Sequence, residues 1–166
     1  MNAISPLSQM HESYAAELTV RCGLEFGIQR HTIPQFEAVR KRWEQDLDFI
    51  ILSIHQVDDQ EFWTGDFQRW RPQQEYNDAY YEAVLDVVEA YQEYSVLGHL
   101  DLIKRYDPAG VYPFAKSRDV IAAILERAIA DGWASRSTRP RSATAFMTFS
   151  HPRRFSSSIA TWEAAS

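Results

Sequence analysis

The sequence predicts an α/β fold built on a parallel sheet. Two observations carry this. Strand-length apolar runs alternate with segments of helical period, which implies right-handed crossovers between parallel strands. One run, Phe49-Ile-Ile-Leu-Ser-Ile-His55, is nearly continuous in apolar residues. Such runs suit strands covered on both faces, as parallel sheets are.

The elements follow in order along residues 1–131. Residues 8–18 read as the end of a helix and residues 20–28 as a strand. Pro34 opens a short helix through Trp43, since proline is tolerated in a first turn. The apolar run at 49–55 is the second strand, and a polar, aromatic loop fills 56–72. In residues 73–94, Tyr80, Val84, Val87, Val88 and Tyr91 recur at spacings of three and four, the stripe of an amphipathic helix. Residues 95–103 read as a third strand and 108–113 as a loop. Residues 117–130 form a helix with Val120, Ile121, Ile124, Leu125 and Ala128 on one face, and Asp131-Gly132 stops it.

A chain of 166 residues fits one domain with a sizeable core. Its 17 basic and 23 acidic residues give a net charge of −6, which disfavours nucleic-acid and anionic-membrane partners. Cys22 is the single cysteine, so no intrachain disulfide forms. No run reaches membrane-spanning length, and residues 1–10 lack the basic and apolar regions of a secretory signal. The expected setting is the cytoplasm.

The charge is uneven. Residues 1–131 carry 12 basic and 22 acidic side chains, whereas residues 132–166 carry five arginines and only Glu163 on the acidic side. That tail is rich in Ser, Thr and Ala and has no period near 2 or 3.6. Composition alone reads it as a disordered basic tail.

Each expected strand ends in polar residues: Glu25, then His55, then His99 with Asp101. In parallel α/β folds the loops after the strands converge on one face, where chemistry collects. One carboxylate and two imidazoles from neighbouring strands suit zinc, iron or manganese. Such an ion would polarise a substrate oxygen and acidify a water molecule. The bland alternative is that each histidine is a hydrogen-bonded structural residue. Asp58 and Asp101 are candidates to support the ligands from behind, and Asp59 reads as a solvated turn. His11 and His31 read as surface or structural residues, and His151 lies in the tail. The aromatics Trp63, Phe67, Trp70, Tyr76, Tyr80 and Tyr81 read chiefly as packing of a loop over the sheet, with a substrate-lining role as the alternative. Arg40-Lys41-Arg42 reads as a solvated helix end. No phosphate-cradling glycine loop, cysteine zinc knuckle or nucleophile elbow is present.

Three segments in order carry a family resemblance: Gly23-Leu-Glu-Phe-Gly27, Ser53-Ile-His-Gln-Val-Asp-Asp59 and Val96-Leu-Gly-His-Leu-Asp-Leu-Ile103. They resemble consecutive motifs of the PHP (polymerase and histidinol phosphatase) family, in its histidinol-phosphatase branch. Phe62-Trp63, Tyr80-Tyr81 and Lys104-Arg105-Tyr106 are similar to that branch as well, and the likeness covers about residues 10–131. The resemblance implies a distorted (β/α)7-type barrel binding up to three divalent metals, zinc, manganese or iron. It implies hydrolysis of L-histidinol phosphate in histidine biosynthesis, a small phosphate ester being the partner. Glu25 would bridge two metals, and His55 and His99 would be terminal ligands of one of them. Another phosphate ester as substrate, or an inactive metal-binding remnant, is the alternative.

Two departures bear on this. The family opens on a His-x-His strand and closes on a late Asp-x-His, and neither pattern occurs here. Residues 1–131 are therefore expected to be the central portion of a PHP phosphoesterase domain, a barrel incomplete at both ends, with little or no activity alone. Where the family has a strand resembling Gly-Ile-Glu-Val-Asn-Thr-Ser-Ser, this chain has Trp133-Ala-Ser-Arg-Ser-Thr-Arg-Pro-Arg141. Reading from the third base of the Trp133 codon forces a glycine and permits Ile-Glu-Val-Asn-Thr-Ser-Ser after it. Residues 133–166 are accordingly expected to be out-of-frame translation. The DNA across codon 133 tests this. A one-base correction that restores the family strand and a downstream Asp-x-His is the expected result. Codons that exclude that reading would make the basic tail genuine.

Overall fold

The computed structural model describes residues 21–130, together with the backbone of Phe146–Met147 and Ala160–Thr161, which pair antiparallel. The expected helix end at 8–18, the helix stop at 131–132 and the rest of the tail lie outside the described residues.

Three parallel strands make the central sheet: β1 (Gly23–Gly27), β2 (Phe49–Ser53) and β5 (Val96–Leu97), in that spatial order. The register is Glu25 beside Ile51 and Gly27 beside Ser53, then Ile51 beside Val96 and Leu52 beside Leu97. Ile28 N–H donates to Ser53 O at 2.9 Å and Gly98 N–H to Leu52 O at 2.8 Å, so the pairing runs one step past the strand ends. Between β2 and β5, the two-residue strands β3 (Gln56–Val57) and β4 (Gln60–Glu61) form a hairpin. The helices are α1 (Ile33–Trp43), α2 (Gln73–Ala90), the single turn α3 (Leu102–Arg105) and α4 (Phe114–Ala130).

Side chains alternate across a strand. Phe26, Ile50, Leu52 and Leu97 point to one face and are buried. Leu52, Ile54 and Leu97 meet Tyr80, Val84 and Val88 of α2 around a small cavity. Ile124 and Ala128 of α4 are buried in the same core. Phe62 lies edge-on to Phe67 and to Tyr80, and Tyr80 edge-on to Tyr81, a geometry aromatic rings favour. The opposite face of β1 and β2 carries Glu25, Gly27, Ile51 and Ser53.

Several expectations are corrected. The nearly continuous apolar run of β2 suggested cover on both faces; among the described residues, α2 packs on the face of Leu52 and Leu97. The stretch 56–72 is not all loop, because Asp58 and Asp59 adopt left-handed backbone (φ 51° and 59°) and close the hairpin. Two consecutive left-handed residues make the tight turn whose twist matches paired strands, and Asp tolerates that region. Helix α2 stops at Ala90 rather than at 94. Tyr91 takes an extended backbone and buries its ring, and Ser95 N–H then joins Ile50 O. The strand expected at 95–103 is only Val96–Leu97. Leu100, Leu102 and Ile103 are buried from a turn and a helical turn instead, closed by Leu102 N–H to His99 O and Lys104 N–H to Asp101 O. Short apolar runs do not distinguish these outcomes. Helix α4 begins three residues earlier than expected. The basic cluster does end α1 with Lys41 and Arg42 exposed, as expected, while Arg40 pairs with Glu37 and Glu44 and Lys41 with Glu37.

The core is rich in tyrosine, and that sets its response to alkali. Burial pushes the Tyr81 and Tyr91 phenols up to about 12, and burial also raises Tyr76, Tyr80 and Tyr112. A phenol raised above its unfolded value of about 10 contributes stability that is complete below pH 10. That contribution is lost as pH rises through the folded value. The phenol contribution should therefore be flat from pH 8 to about 9.5, where the Cys22 thiol, also raised by burial, is the group that changes. Above pH 10 stability should fall by about 1.4 kcal/mol per pH unit for each phenol still protonated. Urea unfolding from pH 8 to 12 checks this, and a midpoint unchanged at pH 12 would contradict it.

Candidate metal centre

The open face of the sheet gathers three side chains. Glu25 lies in the middle of β1, not at its end as the sequence suggested. His55 follows β2 by two residues and keeps the alternation of Ile51 and Ser53. His99 follows β5 by two residues, after the strand has ended at Leu97, so alternation no longer fixes its side.

The ligand atoms converge. Glu25 Oε1 lies 3.1 Å from His55 Nε2 and 3.0 Å from His99 Nε2. The two Nε2 atoms are 3.4 Å apart, and the rings stack at 28° with centroids 5.2 Å apart. Among the described residues this is the group of histidine, cysteine and acidic side chains whose ligand atoms gather closely enough to hold a metal ion. The geometry fits one. Ligand atoms around a tetrahedral zinc with bonds of about 2.0–2.1 Å are about 3.3–3.4 Å apart. Two imidazole nitrogens and a carboxylate oxygen are also a usual donor set for it.

Neighbouring backbone makes room for this arrangement. A Cβ on Gly27 would come within 2.8 Å of His55 Nδ1, so the imidazole lies directly over β1. A Cβ on Gly98 would collide with Ser53 Oγ and reach 2.9 Å from Ile51 Cγ2. Ser53 Oγ donates to Glu25 Oε1 at 2.7 Å. Burial pushes the Glu25 carboxyl up. The Ser53 hydroxyl bond and the facing imidazoles of His99 and His55 outweigh it, and the net direction is down.

The other sequence candidates are placed differently. Asp58 is exposed at the hairpin turn, away from the convergent atoms. Asp59 is more than a solvated turn: its N–H donates to Gln29 Oε1 at 2.9 Å, and its Oδ1 accepts from Gln29 Nε2 at 2.8 Å. His31 Nε2 lies 3.2 Å from the same Oδ1. Asp101 is buried beside Tyr80 and Tyr81, whose phenols its charge pushes up. Of the aromatics, Phe67, Tyr76, Tyr80 and Tyr81 are core. Trp63 and Trp70 are exposed instead and flank an open groove with Tyr106 and Pro108. Trp70 has a left-handed backbone (φ 66°), which a bulky residue rarely adopts. Sequence reasoning missed Ser53, Gly27, Gly98 and Gln29. Ser53 had a signal, a lone polar residue in an apolar run two positions before His55.

Fold and site together define a parallel-sheet α/β protein with a carboxylate–imidazole cluster on the open sheet face. The PHP domain profile matches residues 2–134, and the chain belongs to that family. It is 31% identical over 130 residues to a histidinol-phosphatase of Lactococcus lactis subsp. lactis, covering 75% of this chain and 46% of that one. A crystal structure of the histidinol phosphate phosphatase from Lactococcus lactis, complexed with zinc, L-histidinol and phosphate, superposes with a TM-score of 0.68. Its identity is 27%, over 76% of this chain and 49% of that one. A structure of a histidinol phosphatase from Listeria monocytogenes, so described only provisionally, gives a TM-score of 0.55 at 16% identity. It covers 75% of this chain and 54% of that one, and it bears on the fold alone. The chain thus spans about half the length of the relatives it matches.

The direction of the Glu25 shift is open to test. In ¹³C carboxyl NMR of the metal-free chain, Glu25 should titrate below the usual glutamate value of about 4.3. A midpoint at or above that value would show that burial wins over the hydroxyl and the imidazoles.

Proposed function

We propose that this chain carries the metal-binding centre of a histidinol-phosphatase-type phosphate monoester hydrolase. The single observation that carries the reading is the convergence of Glu25 Oε1, His55 Nε2 and His99 Nε2 on one point. In this reading the three side chains hold a divalent ion, zinc by analogy with the Lactococcus lactis complex. When bound, that ion supplies Lewis acidity toward a phosphoryl oxygen and an acidified water for the displacement.

The chain's own residues then have distinct tasks. His55 and His99 present unprotonated Nε2 atoms, which requires their remaining protons to sit on Nδ1. Glu25 stays ionised through neutral pH, because its carboxyl is held low. Its second oxygen is left for a further ion, the bridging task that family membership suggests. The sheet is read as an arc of the PHP barrel, with its open face inward. Residues 1–131 are read as part of the phosphoesterase domain, and 132–166 as a tail outside it. The exposed groove at Trp63, Trp70 and Tyr106 is the surface on which the flat ring of L-histidinol phosphate would be received. A single cysteine fits a reducing, cytoplasmic setting. Among the described residues no helix is long and apolar enough to cross a membrane.

Turnover by this chain alone is expected to be low, since three protein ligand atoms hold one ion where the family binds up to three. The zinc-loaded chain should release phosphate from L-histidinol phosphate measurably, and well below a full-length relative. Glu25→Ala, His55→Ala and His99→Ala should each weaken zinc binding by more than about 100-fold, beyond the cost of losing a supporting contact. Zinc binding without any phosphate release would point to a metal-binding remnant. Unchanged zinc affinity in all three variants would overturn the reading.

A further inference from the structure

We infer that Ser53 is a positioning residue of the metal centre, fixing the Glu25 carboxylate for coordination through its hydroxyl. This rests on the reading of Glu25, His55 and His99 as ligands. Ser53 is 1% exposed, and its Oγ donates to Glu25 Oε1 at 2.7 Å. The bond runs diagonally across the β1–β2 pair, since Ser53 is in register with Gly27 and Glu25 with Ile51. On both sides the sheet is cleared for it. Gly27 is its partner on β1, and a Cβ on Gly98 would occupy the place of the hydroxyl.

The proton count explains why a hydroxyl is needed. Glu25 Oε1 faces Ser53 Oγ, His55 Nε2 and His99 Nε2, each able to donate when it carries a proton. Once both imidazoles turn lone pairs to an ion, neither Nε2 carries a proton for the carboxylate. Of these three, Ser53 alone still donates. It occupies one lone pair of Oε1 and leaves the carboxylate oriented toward the ion. Partners of this kind, which hold a ligand without touching the metal, are worth about 10–100-fold in metal affinity. A nucleophilic role for Ser53 is excluded by its burial, because a phosphorus atom has no approach to Oγ.

The test is zinc affinity, measured by competition with a chromophoric chelator, with folding followed by circular dichroism. Ser53→Ala should weaken zinc binding about 10–100-fold. Ser53→Thr, which restores a hydroxyl, should return it to within a few-fold of the parent chain. Ser95→Ala is the control: its Oγ accepts from Ile50 N–H at 3.1 Å on the same sheet, and its loss should leave zinc affinity unchanged. If the parent chain binds zinc and Ser53→Ala binds it equally well, the positioning role is overturned while the ligand assignment stands. If the parent chain binds no zinc while folded, the ligand assignment itself fails, and the inference fails with it.

Discussion

The parallel register of β1 and β2 is the constraint on which the rest depends. With Glu25 beside Ile51 and Gly27 beside Ser53, every residue of one parity faces the helices and every residue of the other faces the cluster. Slipping β1 by one residue against β2 would turn Phe26 out of the core and put Glu25 in its place, on the face that Leu52 shares. The apolar face therefore specifies the position of the polar one. Leu52, Ile54 and Leu97 pack against Tyr80, Val84 and Val88, and Phe26 against Phe36 of α1, and that burial is what holds Glu25 and His55 on a common surface.

On that surface the electrostatics are balanced within one oxygen. Glu25 Oε1 takes the hydroxyl of Ser53 and faces both imidazoles. Half-exposed, the carboxylate loses part of its hydration, and those three neighbours replace it. The same contacts that hold it ionised place its Oε1 about as far from the two Nε2 atoms as ligand atoms stand around one ion. Small residues make this packing possible. Gly27 lets the His55 ring lie over the backbone, and Gly98 leaves space for Ser53. The hairpin after His55 is tied back through Asp59 to Gln29, which joins the loop after β1 to the segment after β2.

Much of this was legible in the sequence, and the parts that were not have physical reasons. The order of elements, the parallel pairing and α1 follow from periodicity and from Pro34. Glu25, His55 and His99 stood out because ligand types recur on three successive strands. Their convergence depends on register and on the turn at Gly98, which no pattern along the chain encodes. The third strand was overestimated because Leu100, Leu102 and Ile103 are as apolar as strand residues, yet they are buried from a turn. The hairpin at 56–61 was missed because two aspartates in left-handed backbone replace the usual glycine signal. Trp63 and Trp70 were read as packing because aromaticity alone does not tell core from surface.

The central claim is that Glu25, His55 and His99 are the ligands of one divalent ion. X-ray absorption at the zinc edge of the chain loaded with one equivalent tests it most directly, since it reads the ligand atoms themselves. The account predicts nitrogen and oxygen scatterers at about 2.0–2.1 Å with the outer-shell signature of two imidazoles. A sulfur scatterer at about 2.3 Å, marking Cys22, or a shell of oxygens without imidazole, would contradict it.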